Sequence, residues 1–331
     1  MPASCGKEVG IKKIFPKSVN FFIMRKVLLL LIFSVSCYLM SAQDETIYMH
    51  YTINPLLINP AAAGVNGAHN LNLNVRTAWT GFVDAPKTIS ATYDGPVGKS
   101  FGLGLGVMSE TAAQLARIKV QLNFAFRFNV KDFAKVSAGF FTEFQRMRVD
   151  NDIVNSGLYQ PEDNLLEDIL DGEGVFDSGI GLYSTMGAED NTFVGLTLNN
   201  LVRNKLDIIS TGETKSSPFA FYTFLIGHRF KLYDWKVELE PSFLIRKIRE
   251  SPTQVDLNLK ASFLNEQLVA GLSYRSLGAM GILLGTKLKG FKLFYSYDVS
   301  FQQFQQYNMG SHEVTVAFRI KKKDKKGMPE K

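Results

Sequence analysis

Apolar and polar residues alternate along most of this chain. The clearest stretch is Arg117–Asn129, where Ile118, Val120, Leu122, Phe124, Phe126 and Phe128 share one parity. Arg117, Lys119, Gln121, Asn123, Arg127 and Asn129 share the other, and Ala125 is its one neutral member. A strand turns successive side chains to opposite faces, so this segment has one apolar and one polar face. A helix would scatter both sets and bury charge. Alternation over more than ten residues exceeds the roughly 5–6 of an ordinary strand. It matches the roughly 9–11 that a tilted strand needs to cross a bilayer.

The pattern recurs on both sides. Leu71, Leu73, Val75 and Trp79 oppose Asn70, Asn72, Asn74 and Arg76, and a second strand is expected near Lys87–Pro96. Phe101–Val107 alternates with Gly102, Gly104 and Gly106; no helix pattern follows, so these glycines read as the inner face of a crowded barrel and not as a nucleotide loop. Further strands are expected at Ala134–Arg148, Phe176–Met186, Thr192–Asn200 and Phe219–Lys231, the last apolar on both parities over Phe219–Ile226. The series Trp235–Ile245, Val255–Phe263, Leu268–Arg275, Met280–Leu288, Phe291–Phe301 and Val314–Ile320 completes about fourteen strands. An even count suits a transmembrane antiparallel β-barrel of the bacterial outer membrane. The expected connections tend to alternate, with long outer loops (Phe82–Pro86, Ser109–Arg117, Val149–Val175, Leu201–Pro218, Gln302–Gly310) and short periplasmic turns between them.

Four segments follow from this. Residues 1–42 hold an upstream stretch and, from Met24-Arg25-Lys26, a basic start, an apolar run and Ser41-Ala42 before an expected cleavage, as in a secretory signal. Residues 43–67 carry Pro55 and Pro60 and read as an irregular arm that enters the barrel or plugs its periplasmic mouth. Residues 68–320 form the barrel, and 321–331, which include the run KKKDKKG, a basic periplasmic tail.

Charge and cysteine then narrow the chemistry. The formal +6 charge belongs largely to the leader, which has six Lys or Arg and one acid; the remaining chain has 31 basic and 30 acidic residues. Nucleic acid is therefore not an expected partner. Both cysteines, Cys5 and Cys37, precede the expected cut, which removes disulfides, thiol nucleophiles and Cys-based metal sites. His50, His69, His228 and His312 lack metal-ligand spacing, and no serine sits in a GxSxG context. No catalytic residue, metal or cofactor is expected. The acidic stretch Asp150–Asp177 lacks calcium-loop spacing and reads as a solvated outer loop. Inner-face charges (Arg76, Arg117, Lys119, Arg127, Glu143, Lys236, Glu238, Asp256, Lys260) carry both signs, which favours a filled lumen over a selective pore.

Three motifs resemble the PorP/SprF family. The first is N-P-x-x-x-N-P-A-x-A-G, present as Asn54, Pro55, Asn59, Pro60, Ala61, Ala63 and Gly64. The second is R-x-x-W-x-G-x-x-x-A-P-x-T, present as Arg76, Trp79, Gly81, Ala85, Pro86 and Thr88. The closing strand carries S-H-E as Ser311, His312 and Glu313. The resemblance implies a Bacteroidetes outer-membrane component of the type IX secretion system. Such a component assists secretion or surface attachment of cargo with C-terminal sorting domains, gliding adhesins among them. It also implies contact with outer-membrane lipid and with periplasmic ring or peptidoglycan-binding proteins. Asn54, Pro55, Asn59, Pro60, Gly64, Arg76, Trp79, Gly81, Pro86 and His312 are the partner-binding candidates. An outer-membrane transporter for hydrophobic or small solutes, with the arm as movable plug, is the alternative.

Overall fold

The computed structural model describes residues 48–113, 115–130, 133–149, 174–187, 189–202, 221–248, 252–301 and 309–320. The leader, the basic tail and nearly all of the acidic stretch lie outside the described residues. Fifteen segments form one antiparallel sheet. They are β1 (His69–Thr77), β2 (Lys87–Val97), β3 (Phe101–Ala112), β4 (Leu115–Val130), β5 (Ala134–Val149), β6 (Gly174–Met186), β7 (Thr192–Leu198) and β8 (Phe221–His228). There follow β9 (Phe230–Leu232), β10 (Val237–Ile248), β11 (Gln254–Phe263), β12 (Leu268–Arg275), β13 (Ala279–Lys287), β14 (Phe291–Ser300) and β15 (Ser311–Ile320). Apart from β9, which pairs only with β10, each pairs with its neighbour along the chain, and β15 returns to β1 with His69 opposite Ile320 and Thr77 opposite His312, which closes the sheet. The short β9 continues β8 past Arg229 in the same register on β10 (Gly227 opposite Ser242, Phe230 opposite Leu239), so the barrel has fourteen strands.

The parity of the sequence is the parity of the wall. In β4 the apolar Ile118, Val120, Leu122, Phe126 and Phe128 are exposed outward, whereas Asn123 and Ala125 are buried in the lumen. In β1, Leu71, Leu73 and Val75 face out while Asn72, Asn74 and Arg76 are buried. This continuous apolar exterior is the surface that a lipid-embedded barrel requires. Phe133, Tyr233 and Trp235, all exposed, lie at the end of the wall where β1 starts and β15 stops, hereafter the terminal end. Exposed aromatic residues at the end of a wall are the kind of residue that forms an interfacial aromatic belt.

Several expected boundaries shift. Trp79 leaves the first strand, with φ +50°, and belongs to the connection beyond Thr77. Trp235 closes a 3-10 turn at Tyr233–Trp235, and left-handed Lys236 (φ +52°) resets the chain before β10. The β3–β4 connection is tight, because the hairpin keeps pairing up to Ala112 opposite Leu115 and is held there by an Arg117–Glu110 ion pair. The β12–β13 connection, Ser276–Gly278, is equally short, so the long-and-short alternation holds on most of the loop end but not all of it.

A fourteen-stranded barrel is too wide for its wall side chains alone to fill; eight strands suffice for that. The described part of the arm occupies the difference. Residues 48–67 run through the lumen in three 3-10 turns, His50–Thr52, Pro55–Leu57 and Pro60–Ala62. Tyr51, Ile58, Ala61 and Ala62 pack on Tyr183, Phe193, Leu225 and Leu244 of the wall. Met49 packs on Val269, Leu283 and Phe294, and Leu56 and Ala63 on Ala125. The face of β8 left ambiguous by its sequence is thereby explained: Leu225 points inward onto the arm, and Ile226 outward.

Candidate functional site

The arm is fitted to the wall by glycine and asparagine. Pro55 and Pro60 each stand at the first position of a 3-10 turn, where a missing N–H costs no intrahelical bond. Asn59 caps the third turn by accepting the Ala61 N–H at 2.9 Å. Its amide donates to the carbonyls of Leu182 (2.9 Å) and Leu196 (3.3 Å), which face each other across β6 and β7. Asn54 donates to Thr92 Oγ1 at 2.8 Å. Where the arm backbone comes closest, the wall has no side chain. A Cβ on Gly102 would stand 2.1 Å from the Ala63 carbonyl oxygen, and one on Gly139 2.6 Å from the Ala61 nitrogen. Gly64 needs its own missing side chain twice over, with φ +66° and the Gly95 backbone 2.7 Å from its would-be Cβ. We expect Asn59→Ala to lower stability by about 1–3 kcal/mol, since it removes a cap and strips a buried partner from two ladder carbonyls. Urea unfolding of the detergent-solubilised barrel measures this, and Asn54→Ala, with one bond lost, should fall below it.

Both ends of the arm are tied to buried carboxylates. At the terminal end the Gly64 N–H donates to Asp94 Oδ2 at 2.9 Å, while Arg127 donates to the Gly64 carbonyl. Toward the loop end the Met49 N–H donates to Glu313 Oε2 at 2.9 Å. Glu313 is fully buried and also accepts from Asn74 Nδ2 at 2.8 Å and Arg76 Nη1 at 3.2 Å. Arg76 shares Asp298 Oδ2 with Arg275, each at 3.2 Å, and Arg275 Nε lies 3.6 Å from Asp256 Oδ2. Tyr51 joins this network by donating to Asp256 (3.2 Å) and accepting from Asn258 (2.7 Å). Lys260 donates to the Thr52 carbonyl at 3.0 Å and pairs with Glu240 at 2.8 Å. Inner-face charges of both signs thus pair with each other and with the arm.

His50 belongs to the arm and is almost fully buried, with Nδ1 2.6 Å from Thr315 Oγ1 and 3.5 Å from Glu313 Oε1. Burial pushes its pKa below the usual 6.5; Glu313 and Asp298 pull the other way, and Arg76 adds to the lowering. A histidine kept neutral in the seated arm but free to protonate when unseated binds fewer protons when seated. Seating is therefore complete above about pH 6.5, weakens as pH falls from there toward the lowered pKa, and weakens no further below it. We expect proteolysis of the arm in detergent to accelerate over that window, and His50→Gln to flatten the dependence.

The remaining candidates lie at the loop end. Arg76 points inward into the network, whereas His312, next to Glu313, points outward between Tyr295 (Oη to Nδ1, 2.8 Å) and Tyr297 (ring centroids 5.1 Å apart). Trp79, Gly81 and Pro86 sit in the β1–β2 connection. This connection is strapped to the start of β15: the Trp79 N–H donates to Ser311 Oγ (3.1 Å), the Thr80 N–H to the Gly310 carbonyl (2.8 Å), and the Met309 N–H to the Thr80 carbonyl (2.6 Å). The ten residues therefore divide into an internal set, Asn54 to Gly64 with Arg76, and a rim set of Trp79, Gly81, Pro86 and His312. Glu313, Asp298, Arg275, Asp256 and the wall glycines complete the internal set. Of these, Glu313 and Asp256 were visible in the sequence only as a motif letter and an inner-face charge.

The sequence matches the family described as type IX secretion system membrane protein PorP/SprF over residues 40–318, which takes in both sets and all of the wall but the last two residues of β15. The chain belongs to the PorP/SprF family. The family is one of type IX secretion system membrane proteins. No match exists among curated proteins. Solved structures similar to this PorP/SprF chain include the Pseudomonas putida toluene transporter TodX, at 10% identity and TM-score 0.49, covering 86% of this chain and 96% of that one. The KdgM porin is similar at 10% identity and TM-score 0.41, covering 75% and 98%. The three motifs of the sequence thus have physical work within this barrel: N-P-x-x-x-N-P-A-x-A-G seats the arm, and the Arg76 and Glu313 of the other two pair beneath the rim.

Proposed function

We propose that this PorP/SprF protein is an integral outer-membrane component of the type IX secretion machine that acts by docking proteins on a closed barrel. In this reading a leader ending at Ala42 is removed on export. The barrel then assists secretion or surface attachment of cargo with C-terminal sorting domains, gliding adhesins being one such class. The terminal end and the basic tail meet periplasmic ring or peptidoglycan-binding components, and the rim set around Trp79, Gly81, Pro86 and His312 meets partners at the cell surface. The internal set serves partners indirectly, by holding the wall and rim in one shape. The observation that carries the proposal is the arm itself, held at both ends by buried carboxylates across the lumen that a transporter would need open. A deletion strain, complemented with the full chain, tests it by surface display and medium release of proteins bearing sorting domains. Loss of particular cargo from the surface is expected. Normal handling of every such protein together with failed uptake of a solute would replace docking with transport.

A further inference from the structure

The outer wall changes character on one side of its loop end. On β2 the outward apolar run stops at Ile89 and Lys87 follows; on β3 it stops at Val107, before Ser109 and Thr111. On β4 it stops at Ile118, before Ala116, and on β5 at Phe144, before Arg146 and Arg148. The register aligns these residues in two rows. Lys87 is opposite Thr111, Thr111 opposite Ala116, and Ala116 opposite Arg148. Two residues nearer the terminal end, Ile89, Ser109, Ile118 and Arg146 are aligned in the same way. Lys87, Ser109, Thr111, Arg146 and Arg148 are all exposed.

Neither row contains a carboxylate. Glu110 and Glu143 of the same strands point inward, to Arg117 and Lys119. Asp84 stands past the rows at the loop tip, where its carbonyl accepts the Ala113 N–H. Around the rest of the loop end the described outward strand residues, among them Thr77, Val255, Tyr274, Met280 and Val299, carry no fixed charge, apart from Lys247 on β10. Positive charge is thus concentrated on the β2–β5 face. Arg146 and Arg148 share one face of one strand with Cα atoms about 6.6 Å apart, close enough for both guanidinium forks to hold one phosphate. Ser109 and Thr111 lie two strands away, about 9.5 Å, across Ile118 and the small Ala116. Just below lies the apolar wall of Ile89, Val107, Ile118 and Phe144. Cations at the upper edge of a lipid-facing wall stand at headgroup level, where the anion beside them is carried by a lipid.

We propose that this face binds a phosphorylated glycolipid of the outer leaflet. Arg146 and Arg148 take its phosphate, Ser109, Thr111 and Lys87 follow its hydroxyl-rich headgroup, and its acyl chains lie on the apolar wall below. A glycolipid suits the site better than a phospholipid, because the exposed hydroxyls beyond Ala116 have sugar hydroxyls to meet. The choice of leaflet rests on the orientation in the proposed function, with the loop end at the cell surface. Cargo docking plays no part in it.

Native mass spectrometry of the full-chain barrel in detergent tests it, with monophosphoryl lipid A as probe. The same glycolipid without its phosphate and phosphatidylglycerol are the controls. The parent should bind the probe about tenfold more tightly than either control, and Arg146→Gln/Arg148→Gln should abolish that preference. Arg148→Gln alone should weaken it and covers the case in which the double variant does not fold, while Lys247→Gln should leave it unchanged. The proposal is overturned if the double variant binds the probe as the parent does, or if either control binds as tightly. It is also overturned if sodium phosphate displaces the probe better than sodium chloride at equal ionic strength, since the site would then take the free ion. Orientation is tested separately by labelling Arg148→Cys on intact cells with a membrane-impermeant maleimide. Labelling is expected, and its absence would overturn the outer-leaflet placement.

Discussion

Deleting residues 48–66 is expected to turn a silent barrel into a conducting one. Fourteen strands enclose more space than their inward side chains fill, and here the filling comes from the arm. Without it, an inner wall lined by Asn72, Asn74, Ser90, Thr92, Asn123, Asn258 and Ser273 is polar enough to hold water. In planar bilayers the intact protein should show no steady conductance and the deletion a stable open level. Heat-modifiable migration on gels would establish that the deletion still forms a barrel. Gly102→Val should give a milder form of the same result: its Cβ would fall 2.1 Å from the Ala63 oxygen, so the arm backbone must lift from the wall.

Glu313→Ala is expected to be the most damaging single change in the wall, costing about 3–5 kcal/mol. The carboxylate is fully buried and serves four groups: the Met49 N–H, the Asn74 amide, Arg76 and, at 3.5 Å, His50. Removing it leaves Arg76 with Asp298 alone, which Arg275 already claims. A double-mutant cycle with Arg76→Met separates the loss of the pair from the stranding of its partner, because an apolar replacement of both can be far less costly than removal of one. Urea midpoints of Glu313→Ala, Arg76→Met and the pair provide the test. A strongly compensating coupling is expected, and additive losses would mean the two residues act separately.

Most of the wall was legible because a lipid-facing strand has to alternate, and the alternation survived in Arg117–Asn129 and its relatives. Legibility failed where the lumen is not water. Tyr183, Phe193, Leu225, Leu244, Val269, Leu283 and Phe294 lie on the inner face and are apolar because the arm packs on them. Strand β8 consequently looked hydrophobic on both faces. Ala125, the one neutral member of the polar parity of β4, marks the place where Leu56 and Ala63 touch the wall. Gly102 and Gly104 were readable as crowded inner-face glycines, but what crowds them, Ala63 and Leu56, lies about forty or more residues earlier in the chain. In the S-H-E motif the sequence drew attention to His312, whereas parity places the buried link to the arm on Glu313. Connections such as β3–β4 were misjudged in length because the strands go on pairing up to Ala112 opposite Leu115, with the Arg117–Glu110 ion pair between them, where polar residues had suggested a loop.

The central claim is that the barrel works with its arm in place. The most direct test is to lock the arm. With no cysteine after Cys37, cysteines placed at Asn54 and Thr92, neighbours through the 2.8 Å bond from the Asn54 amide to Thr92 Oγ1, can be joined by a short thiol-specific cross-linker that reduction cleaves, without competing thiols in the barrel. The measurement is surface display of sorting-domain cargo in cells whose only copy is this Asn54→Cys/Thr92→Cys variant, with the cross-link verified by gel shift. Display at the parental level with the lock closed is the predicted result. Loss of display on cross-linking and its return on reduction would mean that the arm has to move, and would contradict a closed docking barrel.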